Sequence, residues 1–170
     1  INQTVAEMLP TVIEVKQTGK PTITIEQTHK VFDTALYILS KGHNLYLEGP
    51  AGSGKSHLAK QLAEALQTRF EYISLSPQLP DSRLLGQATV SGEYTKTTYK
   101  TFYGEGGLFC IDELDNASTT LGPTLNSGLE NGSMAFPDGT IKRHADFHLV
   151  ATGNTNGHGG HYLYPERRQF

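Results

Sequence analysis

The chain has 170 residues, 36% of them hydrophobic and 18% charged, with a formal net charge of -3. That length suits one domain with a sizeable core, and the charge balance excludes a broad membrane-adsorbing or nucleic-acid-binding surface, so any such partner would need a local patch. A single cysteine, Cys110, excludes an internal disulfide, no stretch nears the ~20 apolar residues of a membrane span, and the opening INQTVAEMLP lacks the basic-then-apolar layout of a signal peptide. A reducing, cytoplasmic setting is expected, and the missing initiator Met points to a fragment.

Elements alternate as they do in a parallel sheet covered by helices, which makes the expected class α/β. Residues 1–24 carry little pattern and read as an extension of a core spanning 25–170. Between Ile25 and Ser40, apolar residues at Val31, Ala35, Leu36 and Leu39 recur at helical spacing, and Lys41-Gly42 supply a stop. Leu45 to Glu48 reads as a short buried strand, followed at once by a glycine-rich turn and a helix marked by Leu58, Leu62, Ala65 and Leu66. Phe70 to Leu75 is a second strand. Ser76 to Gly107, rich in Ser, Thr, Tyr, Gly and Pro, predicts a long irregular excursion with room for a short helix and a hairpin. Leu108-Phe109-Cys110-Ile111 is too uniformly apolar to have a solvent face and predicts a central strand. Leu121, Leu125 and Leu129 predict a helix, Ser133 to Lys142 a hairpin turning at Asp138-Gly139, and Phe147 to Ala151 a fourth strand before a loop-rich tail from Gly153 to Phe170.

The strongest chemical signal is Gly49-Pro50-Ala51-Gly52-Ser53-Gly54-Lys55-Ser56, which satisfies every fixed position of GxxxxGK[ST]. Glycines let consecutive N–H groups turn inward on phosphate oxygens, while the next helix aims its positive end at the same anion. Lys55 would reach the β- and γ-phosphates, and the Ser56 hydroxyl would ligate Mg²⁺. Together with His57 and Asp112, the eight motif residues form the expected nucleotide-binding set. The second signal is the apolar strand ending in Asp112-Glu113. Strand C-termini lie on the ligand side of a parallel sheet, so Asp112 would hold the metal, directly or through water, and Glu113 would be the general base for an attacking water. The alternative is that both acids cap a helix starting near Asp115 or Ser118. Third, the strand from Phe147 ends in Thr-Gly-Asn-Thr, where Asn154 could sense the γ-phosphate or the attacking water, or form an Asx turn that stabilises the loop. His144 with His148, and His158 with His161, have short spacings but no Cys or acid set at zinc-site spacing, so a structural zinc is not expected. Lys142-Arg143 and Arg167-Arg168 read as solvated charges, with a partner or phosphate role as the alternative.

In order, GPAGSGKS, LFCIDELD and ATGNTN resemble the Walker A, Walker B and sensor 1 motifs of an AAA+ ATPase. More narrowly, the chain resembles the MoxR, CbbQ and cobaltochelatase small-subunit branch, through Leu79 to Gly86, Gly106-Gly107, Asn126 to Gly132 and Phe136 to Gly139 before Arg143-His144. The resemblance implies a three-layer αβα P-loop NTPase with a mostly parallel central sheet, ATP and Mg²⁺ as ligands, and ring assembly, usually a hexamer, acting on an unknown client protein. It implies catalytic roles for Glu113, Lys55 and Asn154, and pore- or client-facing segments near Gly86 to Tyr103 and Ser133 to Lys142. It also implies adenine packing around Ile25 to His29, and an arginine finger and helical lid beyond Phe170.

Rival readings are a nucleotide-dependent switch with little hydrolysis and a P-loop small-molecule kinase, against which tandem Asp112-Glu113 with Asn154 argues for water as acceptor. No NKxD-like segment favours a GTPase, although the P-loop itself does not read the base.

Overall fold

The computed structural model describes residues 12–154. Its centre is a four-stranded, all-parallel sheet in the order β3–β8–β5–β4. Here β3 is Leu45–Gly49, β4 Phe70–Ser74, β5 Gly107–Asp112 and β8 Phe147–Asn154. The expected α/β fold with a mostly parallel sheet is thus present. Residues of β5 alternate between two cores, Leu108 and Cys110 on one side and Phe109 and Ile111 on the other, as a strand covered on both faces must.

One face is covered by helices α1 (Phe32–Ser40) and α2 (Lys55–Leu66) together with an antiparallel hairpin of β1 (Val12–Val15) and β2 (Ile23–Glu26). The first helix begins seven residues after Ile25, because Ile25 lies in β2 with its side chain buried beside Val15. Alternating apolar residues in VIEV and ITIE account for the hairpin, and Lys20 Nζ and Gln17 Nε2 bind the carbonyls of Leu66 and Ala65 at the end of α2.

The other face is covered by the excursion after β4, by a 3₁₀ turn (Leu114–Asn116) and by α5 (Leu121–Asn131). Within the excursion, α3 (Ser82–Leu85) and an isolated antiparallel Ala88–Tyr94 bridge precede α4 (Thr98–Glu105), so the short helix expected there has two representatives. Thr97 caps α4 by accepting from the Lys100 amide, and Tyr99, Phe102 and Tyr103 bury against the sheet. The β6 (Ser133–Phe136) and β7 (Gly139–Lys142) hairpin forms as expected, tied back by the ion pair between Lys100 and Asp138.

A nucleotide-sized cleft at the strand ends

The sheet register brings the motif residues together. Gly49, last in β3, lies opposite Asn154, last in β8, while β5 on the far side of β8 ends at Asp112. Because β8 lies between the other two, one edge of the sheet gathers the glycine-rich loop, the acids and the amide. They line an open cleft of about 340 Å³ formed by Ala51 to His57, Asp112, Glu113, Thr152 and Asn154.

Gly54 caps α2 from the left-handed region at φ 85°, which a side chain would strain, and its carbonyl accepts from Leu58 at 2.8 Å. Lys55 Nζ donates to the carbonyls of Gly49 at 2.9 Å and Pro50 at 3.0 Å, and to Asn154 Oδ1 at 3.3 Å, so all three of its N–H groups are engaged. Ser56 Oγ donates to Asp112 Oδ2 at 3.0 Å. The segment expected to border adenine lies against this loop: His29 Nδ1 accepts from the Val31 amide at 3.3 Å, which leaves the proton on Nε2 to donate to the Ser53 carbonyl at 3.0 Å.

Glu113 adopts a left-handed backbone, φ 57° and ψ 46°, and its carboxylate accepts from Asn116 Nδ2 at 3.2 Å. The acids therefore stand at the turn into a 3₁₀ segment whose own amide bond, Asn116 N–H to the Glu113 carbonyl, measures 2.9 Å. Two side chains around the acids went unassigned in the sequence. Asn116 meets Glu113, and Thr152, fully buried, donates to Asp112 Oδ1 while accepting from the Glu113 amide at 3.1 Å. The signal for Thr152 was the polar Thr-Gly-Asn interrupting an apolar strand beside Asp112.

Other singled-out residues lie away from the cleft. Arg143 is not a free surface charge: its guanidinium donates to the Leu129 carbonyl at 3.1 Å, capping the end of α5. His144 Nδ1 accepts from the Asp146 amide at 3.0 Å. His148 is half-buried with Nδ1 unpartnered, and desolvation lowers its pKa from the ordinary 6.5, further lowered by Arg143 and Lys20 and partly offset by Asp146. Burial, with Asp112 nearby, pushes the Cys110 thiol up to about 12. Gly153 and Asn154, expected to open the loop-rich tail, instead end β8; His158, His161, Arg167, Arg168 and the rest of that tail from 155 lie outside the described residues.

A family model described as an AAA domain of the dynein-related subfamily matches residues 44–169. The chain belongs to this AAA family. Among relatives, it is similar to two uncharacterized Bacillus subtilis proteins, YeaC, 28% identical over 76% of this chain, and YojN, 29% identical over 73%. The aligned part spans 40% of the length of YeaC and 44% of YojN, less than half of each. Solved structures with the same fold include a candidate ATPase from Cytophaga hutchinsonii, with TM-score 0.61, 23% identity, and coverage of 79% of this chain and 41% of that one. NtrX from Brucella abortus has TM-score 0.60 and 16% identity, covering 75% and 30%. This is an AAA-type ATPase domain with a P-loop NTPase fold, and among its described residues no helix is long and apolar enough to cross a membrane.

Proposed function

We propose that this AAA domain binds Mg·ATP in the cleft at the strand ends and hydrolyses it, driving the remodelling of a client protein by a ring, usually hexameric, in the cytoplasm. The observation that carries the reading is the convergence of Lys55, Ser56, Asp112, Glu113 and Asn154 on one cleft, with Lys55 bonded to Asn154 at 3.3 Å and Ser56 to Asp112 at 3.0 Å. The backbone from Gly49 to Ser56 and the N-terminus of α2, with His57 in its first turn, cradle the phosphates. Lys55 exchanges its carbonyl partners for phosphate oxygens. Ser56 Oγ and Asp112 Oδ2 form a hard-oxygen pair beside that cradle, a donor set that fits Mg²⁺, which binds few protein oxygens and completes its shell with water and phosphate. When bound, Mg²⁺ neutralises charge on the β- and γ-phosphates. Glu113 takes the proton of the attacking water as its oxygen bonds to the γ-phosphorus and the bond to the bridging β–γ oxygen breaks, releasing ADP. Asn154 holds the γ-phosphate or that water in line.

Calorimetric titration of full-length protein with Mg·ATP and Mg·GTP tests this, with Lys55→Ala as control. Saturable ATP binding that Lys55→Ala removes is expected, and Glu113→Gln should cut turnover by about 10²–10⁴-fold while ATP still binds. Binding indifferent to Lys55→Ala would sink the reading, and a preference for Mg·GTP would make this a GTP-selective relative. The Glu113–Asn116 bond, which engages the base, favours a second reading, a nucleotide switch with little turnover. Turnover that rises with protein concentration supports the ring; slow turnover independent of concentration supports the switch.

A further inference from the structure

We infer that Thr152 is a positioning residue that aims Asp112 and Glu113 together through one hydroxyl; the inference rests on the roles proposed above for those acids. The proton placement is fixed by chemistry. The Glu113 amide can only donate, so Thr152 Oγ1 accepts there, at 3.1 Å, and an ionised Asp112 can only accept, so the hydroxyl proton points to Asp112 Oδ1. One donor and one lone pair are used at once, in opposite directions.

Each contact constrains a different acid. With Oδ1 engaged by Thr152, rotation of the Asp112 carboxylate is stopped and Oδ2 is turned toward Ser56, 3.0 Å away at the start of α2. With its amide bonded, Glu113 is held at φ 57°, a region a side chain disfavours, and that backbone turn sets where its carboxylate emerges into the cleft. Thr152 is fully buried on β8, an inner strand of the sheet, so neither bond is shared with solvent. Valine keeps the shape of threonine and removes both bonds; serine keeps both bonds and loses only a methyl group.

The test compares Thr152→Val and Thr152→Ser in full-length protein, with Asp112→Asn and Glu113→Gln as references. Calorimetry with ATP in Mg²⁺ and in EDTA isolates the cation-dependent part of affinity, and steady-state kinetics gives kcat and KM. Thr152→Val should lower the cation-dependent affinity about tenfold and kcat about 100-fold, leave ATP binding in EDTA unchanged, and Thr152→Ser should stay within about threefold of wild type on every readout. If Thr152→Val matches wild type while the two reference variants lose these properties, the assignment is wrong and the proposed function stands. A serine variant as impaired as valine also overturns it, since packing rather than the hydroxyl would then matter. If Asp112→Asn and Glu113→Gln both match wild type, the proposed function fails and the assignment falls with it. Melting curves accompany each variant, and if Thr152→Val does not fold, Thr152→Ala against Thr152→Ser carries the same comparison.

Discussion

The two faces of the sheet are packed by different means. Beneath α1 and α2 the core is mostly aliphatic and small, with Phe32 its one fully buried aromatic among the described residues and Leu39, Leu58, Ala59, Leu62, Ala63 and Ala65 against Leu108, Cys110 and Val150. Beneath α4, α5 and the β6–β7 hairpin it is richer in aromatics, with Tyr99 edge-on to Phe109 at 5.3 Å and Tyr103 to Phe147 at 5.2 Å. Small residues let a continuous helix lie close on the sheet, which fixes the first turn of α2 where Lys55 and Ser56 stand. The aromatic face is assembled from more separate pieces, α3, the 3₁₀ turn, α4, α5 and the β6–β7 hairpin, and polar handles set their positions, such as Tyr103 Oη donating to the Gly128 carbonyl at 2.7 Å. The aliphatic face locates the glycine-rich loop and Lys55; the aromatic face carries the 3₁₀ turn beside Glu113 and then segments that run away from the cleft.

That contrast makes Leu62→Ala the most damaging of three changes. Leu62 is fully buried on α2, so its truncation should cost about 3 kcal/mol in denaturant unfolding and weaken ATP binding as well, through the helix that bears Lys55. Tyr103→Phe removes one buried hydrogen bond and should cost about 1–2 kcal/mol while leaving ATP affinity untouched. A Tyr103→Phe protein that loses ATP binding as fully as Leu62→Ala would break the comparison. The smallest effect belongs to His148. Its folded pKa lies below the ordinary 6.5, so the unfolded chain binds the proton first, and stability present above that value is lost as pH falls through the folded pKa. Replacing it by Gln should flatten the decline in unfolding midpoint as pH falls below the ordinary 6.5.

The half that bears the glycine-rich loop was the more legible in sequence. Its strands are short apolar runs, and its loop is dictated by a backbone shape that few residue types permit, so Gly49 to Ser56 and Asp112-Glu113 fall where their pattern predicted. A short helix was expected in the excursion, but the place of α4 was not legible: TYKTFYGE is poor in strong helix formers, and Tyr99, Phe102 and Tyr103 register as a buried face only once the sheet is present to cover them. The β1–β2 hairpin carried readable alternation, but the strands are four residues each and the second ran into the apolar spacing of α1. Thr152, for all its polar setting in an apolar strand, and Asn116 could not be paired with the acids for another reason. Their partners, at 112 and 113, are set by strand order and a tight turn, and neither is a property of the residues themselves.

The left-handed backbone at Glu113 sets stability against chemistry at a single position. Glycine there would relieve roughly 1–2 kcal/mol of strain against roughly 0.5–1 kcal/mol of added chain entropy, so Glu113→Gly is expected to raise the melting temperature slightly. A library of this chain screened for heat resistance alone would therefore enrich molecules that keep the cleft and lack its carboxylate. Screened for turnover, the same library should discard them, and sequencing both pools at this codon would read the conflict directly.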